Sequence, residues 1–420
     1  MRRLYSAIAY LLAPLYCAVL LLRGFRERGY WQRFGERLGL GPALRAESLW
    51  VHAASLGEVQ AAAALVRHLR QQAPEAQVVL TTATAAGAAR ARELLGASRV
   101  EVRYAPLDLP GAVRRFFDRV RPRLALVMET EVWPNLYGEC GRRGVPLVLA
   151  SARMSERSAR RYGMLRGVFA AALAQASLIA AQSATDAERF VRLGAAPERT
   201  RVVGNIKFDF APPQGTVARG RALRARYGGA RPLWVAGSTH HGEERMVLAA
   251  HEHVRRNAGA ALLVLAPRHS PRFADVAALL GEAGAPFVRR SREEPCESGT
   301  QVVLLDTLGE LIDFYAAADV VFVGGSLVPV GGHNLLEPAA LARAIVTGPH
   351  QFNGPETARL LLERGAISIV RDPQELGAKV AQLLASPEAR REMGSRAQRA
   401  VDENRGALGR LAALIAPLIP

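Results

Sequence analysis

Several short segments carry side chains able to do chemistry, each placed where an apolar run gives way to a helix-like pattern. Ala53 to Glu58 sets Ser55 and Glu58 three residues apart at such a turn. Two readings stand side by side. Ser55 and Glu58 form a capping box that starts a helix, or Glu58 stands clear of the cap as a general base toward an attacking hydroxyl, kept ionised by the helix N-terminus. Met128 to Asn135 adds Glu129 and Glu131 before a proline-opened helix. Alternation puts both on one face, where two carboxylates could bind a metal, divide into acid and base, or hold sugar hydroxyls; one of them could equally be solvated. The chain has no Asp-x-Asp pair. Lys207, in Gly204 to Asp209, is one of only two lysines, with Lys379, in a chain that otherwise uses arginine. A point charge on a flexible stem suits a mobile phosphate or carboxylate; an ordinary surface residue is the alternative. Arg153 and Arg157 are weaker cationic candidates.

The second half of the chain reads the same way. Ala236 to Glu244 places Ser238 and His240 on a glycine-bearing turn of the kind that cradles phosphate oxygens with backbone N–H groups, without the spacing of a P-loop or a dinucleotide fingerprint. Pro267 and Arg268 leave the next apolar run, and Leu308, Gly309 and Glu310 the one after. Arg268 could clamp an anion or lie on the surface, and Gly309 could let the backbone approach a base or ribose or belong to an ordinary helix cap. Val323 to Pro338 carries two glycine pairs, then Gly332, His333, Asn334, Leu335, Leu336 and Glu337. Asn334 is expected to open a helix with Glu337 one turn along, binding phosphate at the helix start and ribose hydroxyls at the carboxylate. A plain Asn334–Glu337 capping box leaves the glycines unexplained.

The elements that must position these residues follow from hydrophobic patterning. Candidate strands are Leu49–Ala54, Gln77–Thr82, Val100–Tyr104, Leu124–Met128, Pro146–Ala150, Leu178–Gln182 and Arg201–Val203, with helical stretches such as Val59–Gln72 and Gly111–Val120 between them. A proline-bearing segment, Ala211–Gly215, interrupts the rhythm, which restarts at Leu233–Ala236, Ala261–Leu265, Gln301–Leu305 and Val320–Val323. The class is α/β, with two doubly wound Rossmann-like domains meeting near residue 210. Residues 29–210 form the first and 211–420 the second, whose last helix is expected to pack back toward the first.

A length of 420 residues and 50% hydrophobic content exclude a disordered tail or a disulfide-stapled module. The three cysteines are widely spaced and fit no metal or disulfide pattern. A net charge of +17 predicts an anionic partner: nucleic acid, a phospholipid surface or a phosphorylated substrate. Residues 1–28 narrow that choice. Leu4–Leu22 lacks any charge, is flanked by arginines, and at 1.5 Å per residue can just cross a core of about 30 Å. The basic and aromatic residues that follow favour a retained membrane anchor with the body on the cytoplasmic side over a removed signal peptide; Pro14 could kink it or leave it in the interface.

Taken in order, these segments resemble the 3-deoxy-D-manno-octulosonic acid (Kdo) transferases of lipid A assembly, which have the two-domain GT-B fold with a central cleft. The likeness runs from the anchor through Ser55-Leu56-Gly57-Glu58, Met128 to Asn135, Lys207-Phe208-Asp209, Ser238-Thr239-His240, Pro267-Arg268-His269 and Gly331 to Glu337, ending at Gly348 to Asn353. The resemblance implies an inverting transfer of Kdo from CMP-Kdo to a lipid A precursor (lipid IVA) hydroxyl, with Glu58 as general base and Glu129 and Lys207 assisting the transition state. It implies donor binding by Pro267, Arg268, Leu308 to Glu310 and Asn334 to Glu337, with Ser55, Glu131, Ser238, His240, Gly332 and His333 as further candidates. No cofactor or metal is expected, and no nucleic acid; the partners are CMP-Kdo, the lipid acceptor and the inner membrane at its cytoplasmic face. His241 departs from the pattern, and Arg289 to Gly299 matches nothing in it. A sugar transferase using a nucleoside diphosphate donor on another lipid, and a non-catalytic membrane-bound anion-binding protein, are the alternatives.

Overall fold

In the computed structural model, which describes residues 2–96 and 100–419, the apolar runs form two sheets in which, among the described residues, neighbouring strands pair in parallel. The first contains β1 (Ser48–His52), β2 (Gln77–Thr82), β3 (Val100–Tyr104), β4 (Pro122–Met128), β5 (Leu147–Ala152), β6 (Leu178–Ala181) and β7 (Thr200–Val202), in the order β3-β2-β1-β4-β5-β6-β7. The second contains β8 (Leu233–Thr239), β9 (Leu262–Pro267), β10 (Phe287–Arg289), β11 (Val302–Leu304), β12 (Val320–Val323), β13 (Ala344–Thr347) and β14 (Ile367–Ile369), in the order β10-β11-β9-β8-β12-β13-β14. Helices cover both faces, which is why central strands read as unbroken apolar runs rather than alternating ones. Trp50 in β1 and Trp234 in β8 are fully buried, each on a strand in the interior of its sheet. The strands β10, β13 and β14, only three or four residues long, were not among the expected strands.

Each sheet reverses direction once. From β1 the chain builds outward to β2 and β3, then returns to place β4 on the other side of β1; β8 and β12 repeat this in the second sheet. Between the carboxyl ends of such strands two loops part, which is where open α/β sheets bind ligands.

The chain divides into two units, Met1–Asp209 with Arg405–Pro420, and Phe210–Asn404. The end of the chain therefore belongs to the first unit and not to a second domain running to residue 420. Helix Ala407–Ile415 buries Ala407, Leu411 and Ile415 in the first unit's core, and Asp209 accepts hydrogen bonds from the Gly406 and Leu408 amides. At the other end, Arg2–Arg26 is one continuous helix through Pro14, long and apolar enough to cross a membrane.

Candidate active site

At the first reversal point, Ser55 caps the helix Leu56–Gln72 and Glu58 lies in its first turn. The Glu58 carboxylate accepts from the Ala54 amide at 2.9 Å and from the Ser55 hydroxyl at 2.8 Å. This corrects the expectation that a base at this position must avoid capping: Glu58 is part of the cap. It also corrects the expectation that the helix start keeps the group ionised. Burial and the neighbouring Glu129 charge outweigh the two hydrogen bonds and raise the Glu58 pKa to about 7. A buried carboxyl poised there exchanges a proton readily at neutral pH.

The turn after β4 faces it across the reversal point. Glu129 adopts a left-handed φ of 54°, so the strict alternation that was expected to put both acids on one face fails, and the two take different partners. Glu129 reaches Lys207 Nζ at 2.6 Å and Arg153 Nε at 3.7 Å. Glu131 accepts from Trp133 Nε1 at 2.7 Å, and burial with the Glu129 charge raises its pKa. Lys207 stands in a short 3-10 turn, Ile206–Asp209, anchored by the buried side chains of Ile206 and Phe208 and by a hydrogen bond from its backbone amide to Asn205 Oδ1. Ser55, Glu58, Glu129, Glu131 and Lys207 thus gather at one end of the sheet. Lys207 and Arg153 both pair with Glu129, while the field at the titrating Glu58 comes from the two acids Glu129 and Glu131.

In the second unit the expected residues line the carboxyl ends of β8, β9, β11 and β12. Ser238 has a left-handed φ of 58°, and Gly237 before it is required because a Cβ would lie 2.1 Å from the Tyr315 hydroxyl. His240 Nε2 and His333 Nε2 lie 2.8 Å apart, with His269 edge-on to His240. One proton serves that contact, and burial, with its cationic neighbours, lowers His333 to about 3, so the pair is neutral. Among the described residues no three potential ligands converge as a metal site. Arg268, after Pro267, has no carboxylate within ion-pairing distance among the described residues, so its charge is open to an anion. Gly331 and Gly332 have φ of 109° and 75°, conformations that favour glycine.

Three expectations here need correction. The helix opens at Leu336, two residues beyond Asn334, and runs only to Ala340, too short for a strong dipole. Asn334 does bond Glu337, at 3.0 Å, and receives the Leu336 amide, so the capping reading describes the side chains. Leu335 and Leu336 are buried, leaving only their backbone for a ligand, whereas Leu308 is exposed. Glu310 is not free: Arg290 grips it at 2.7 Å, and Thr307 bonds it as well. Arg290 comes from the stretch Arg289 to Gly299, which had suggested no role; its neighbours Arg289 and Ser291 hold Asp306 in the same turn.

Sequence reasoning missed Glu243. Fully buried, it accepts from the amides of Gly325 at 2.6 Å, Ser326 at 3.0 Å, Leu327 at 2.9 Å and His240 at 3.2 Å. One carboxylate thereby ties the turn after β8 to the glycine loop after β12. The only sequence signal was its place three residues after His240; the long-range partners could not be read from spacing.

A family described as 3-deoxy-D-manno-octulosonic-acid transferase (kdotransferase) matches residues 32–210. The chain is 40% identical to the 3-deoxy-D-manno-octulosonic acid transferase of Haemophilus influenzae, covering 100% of this chain and 99% of that protein. It is 39% identical to that of Bordetella pertussis, covering 95% of each. Among solved structures, MurG of Acinetobacter baumannii superposes with a TM-score of 0.56 at 14% identity, over 88% of this chain and 99% of that one, a likeness of GT-B fold alone.

Proposed function

The chain belongs to the Kdo transferase family of glycosyltransferases, and from that premise we propose that it moves Kdo from CMP-Kdo to a hydroxyl of lipid IVA, with inversion, at the cytoplasmic face of the inner membrane. The observation that carries the mechanism is Glu58, a buried carboxyl with a pKa of about 7 at the first unit's reversal point. In its ionised form Glu58 takes the acceptor hydroxyl proton as that oxygen bonds to the anomeric carbon of Kdo. The bond from that carbon to the phosphate oxygen breaks, its electrons leave with CMP, and attack from the face opposite the leaving group inverts the centre. The Glu129–Lys207–Arg153 cluster steadies charge at the attacking side.

The second unit holds the donor. Arg268 meets the anionic phosphate or the Kdo carboxylate, and the neutral His240–His333 pair supplies hydrogen bonding without adding charge. Backbone groups around Gly309 and from Gly332 to Leu336 take the nucleotide, with Glu337 reaching ribose hydroxyls. The scheme draws on no metal and no cofactor. The acceptor's phosphates and acyl chains suit an arginine-rich chain with an apolar N-terminal helix.

Purified protein given CMP-Kdo and lipid IVA should yield a lipid heavier by one or more Kdo residues in mass spectrometry. Product from nucleoside diphosphate sugars and none from CMP-Kdo would overturn the donor assignment; binding of both substrates without product would overturn the enzyme mechanism.

A further inference from the structure

We propose that the N-terminal helix does not cross the bilayer but lies in the plane of the membrane interface, fastened along its length to the first unit, with both of its ends on the same side. Hydropathy alone selects a spanning segment. The packing argues otherwise. Within Leu4–Leu22 the shielded positions are Tyr5, Ser6, Ala9, Ala13, Cys17 and Leu20, spaced so that they form one helical stripe. The opposite stripe is Leu4, Leu11, Leu15 and Leu22, each more than 60% exposed.

The helix is hydrogen-bonded to the first unit as well as packed on it. Tyr5 donates to Asp108 at 2.9 Å, Ser6 to Asn135 at 2.7 Å, and Tyr10 accepts from the Gly111 amide at 3.0 Å. Farther along, Leu20 packs with Tyr30 and Ala85, and Trp31 Nε1 bonds the Leu21 carbonyl at 2.8 Å. Contact from Tyr5 to Leu21 extends over roughly 24 Å at 1.5 Å per residue, most of a hydrocarbon core of about 30 Å. A spanning helix would therefore carry Asp108, Asn135 and the surface around them into the hydrocarbon, where a carboxylate and open backbone groups are strongly disfavoured. Lying flat, the helix keeps its shielded stripe on the protein and gives the leucine stripe to acyl chains, with arginines at both ends among the lipid phosphates. Met164 and Leu165, also exposed and flanked by Arg161 and Arg166, add a second apolar tip with basic neighbours on the same unit.

The fastening point matters for function. Asp108 also accepts from the amides of Asn135 and Leu136, capping the helix that follows Glu129, Glu131 and Trp133. The membrane helix is thus tied to the segment proposed to handle the acceptor. This part of the inference rests on the transferase reading, and Tyr5 and Ser6 act in it as positioning residues, holding the acceptor turn at the depth of the lipid headgroups.

Two experiments on the full chain test it. A protease-cleavable tag fused ahead of Met1 should be cut nearly completely when protease is added to inside-out vesicles and remain protected in right-side-out ones; cleavage only from the opposite side overturns the in-plane arrangement. That readout involves no sugar chemistry, so its failure is distinct from failure of the transferase reading. In the second, Tyr5→Phe with Ser6→Ala should bind vesicles as wild type does and lose transfer several-fold on a vesicle-embedded acceptor while keeping it on a detergent-dispersed one. An equal change on both acceptors, or none, overturns the positioning role.

Discussion

Glu58 shows how one side chain serves stability and chemistry with opposite signs. Its pKa, about 7 against an ordinary 4.5, means the folded state holds the proton more tightly than the unfolded chain does. The folded state is therefore favoured by protonation, and that contribution is lost as pH rises through 7, amounting to roughly 3 kcal/mol when fully ionised. Glu58→Gln should match wild-type stability near pH 4, gain on it progressively between about pH 4.5 and 7, and hold a constant advantage above that, measured by urea unfolding across pH. Catalysis runs the other way: wild-type kcat/KM should fall about tenfold per pH unit below 7, and Glu58→Gln should lose about 100-fold or more with no such limb. Lys207→Ala removes the closer of the Glu129 cations. It should lower kcat about 10-fold or more, with Lys207→Arg restoring only part, because the fork of a guanidinium does not reproduce a 2.6 Å ammonium contact. Steady-state kinetics on the three proteins checks this. Both positions were legible from residue type and turn placement. The capping box was legible too; what was not legible was that Glu58 titrates near neutrality, since burial and the charge of Glu129, 71 positions away in the chain, set its pKa.

At the scale of elements, the glycine loop after β12 is held by a carboxylate on a different helix. Glu243→Ala strips acceptors from four backbone amides and should cost on the order of 3 kcal/mol or more, seen as a lower thermal midpoint together with weaker CMP-Kdo binding in calorimetry. Gly332→Ala should cost about 1 kcal/mol or more from its left-handed backbone, with a Cβ 2.6 Å from Gln351 Oε1 adding to it; the same two measurements apply. The glycines were visible as a cluster, and their purpose followed from backbone conformation. The helix expected at Asn334 was misplaced because the asparagine spends its side chain on Leu336 N–H and Glu337 while the helix itself starts two residues later. The role of Arg290 was invisible because its partner Glu310 lies across a strand pairing, and sequence spacing carries no information on such a contact.

For the whole molecule, the two units are stitched by chain topology: the last helix returns to the first unit after the second is complete. Truncation after Asn404 removes Leu411 and Ile415 from a core in which both are fully buried. At about 1.5–3 kcal/mol for each large side chain, the first unit should lose roughly 3–6 kcal/mol, read as faster limited proteolysis within residues 2–209 than within 210–404. The net charge of +17 belongs to this scale as well. Its long-range part should weaken as salt shortens the screening length, so binding to anionic vesicles should fall between low and high salt while binding to neutral vesicles, driven by the leucine stripe, changes little.

By itself the sequence determined the α/β class, the alternation of strands and helices, the family resemblance and the positions at which chemistry must be sought, because hydrophobic period and turn chemistry are local properties of the chain. Tertiary structure decided what those positions do to one another. It set the order of strands that brings the Ser55–Glu58 turn beside Glu129, the burial that tunes Glu58, the carboxylate of Glu243 that gathers a distant loop, and the shielded stripe that fastens an apolar helix lengthwise to the first unit. Each depends on pairs of residues remote in the chain, whose fields, hydrogen bonds and desolvation exist only once the sheets have formed.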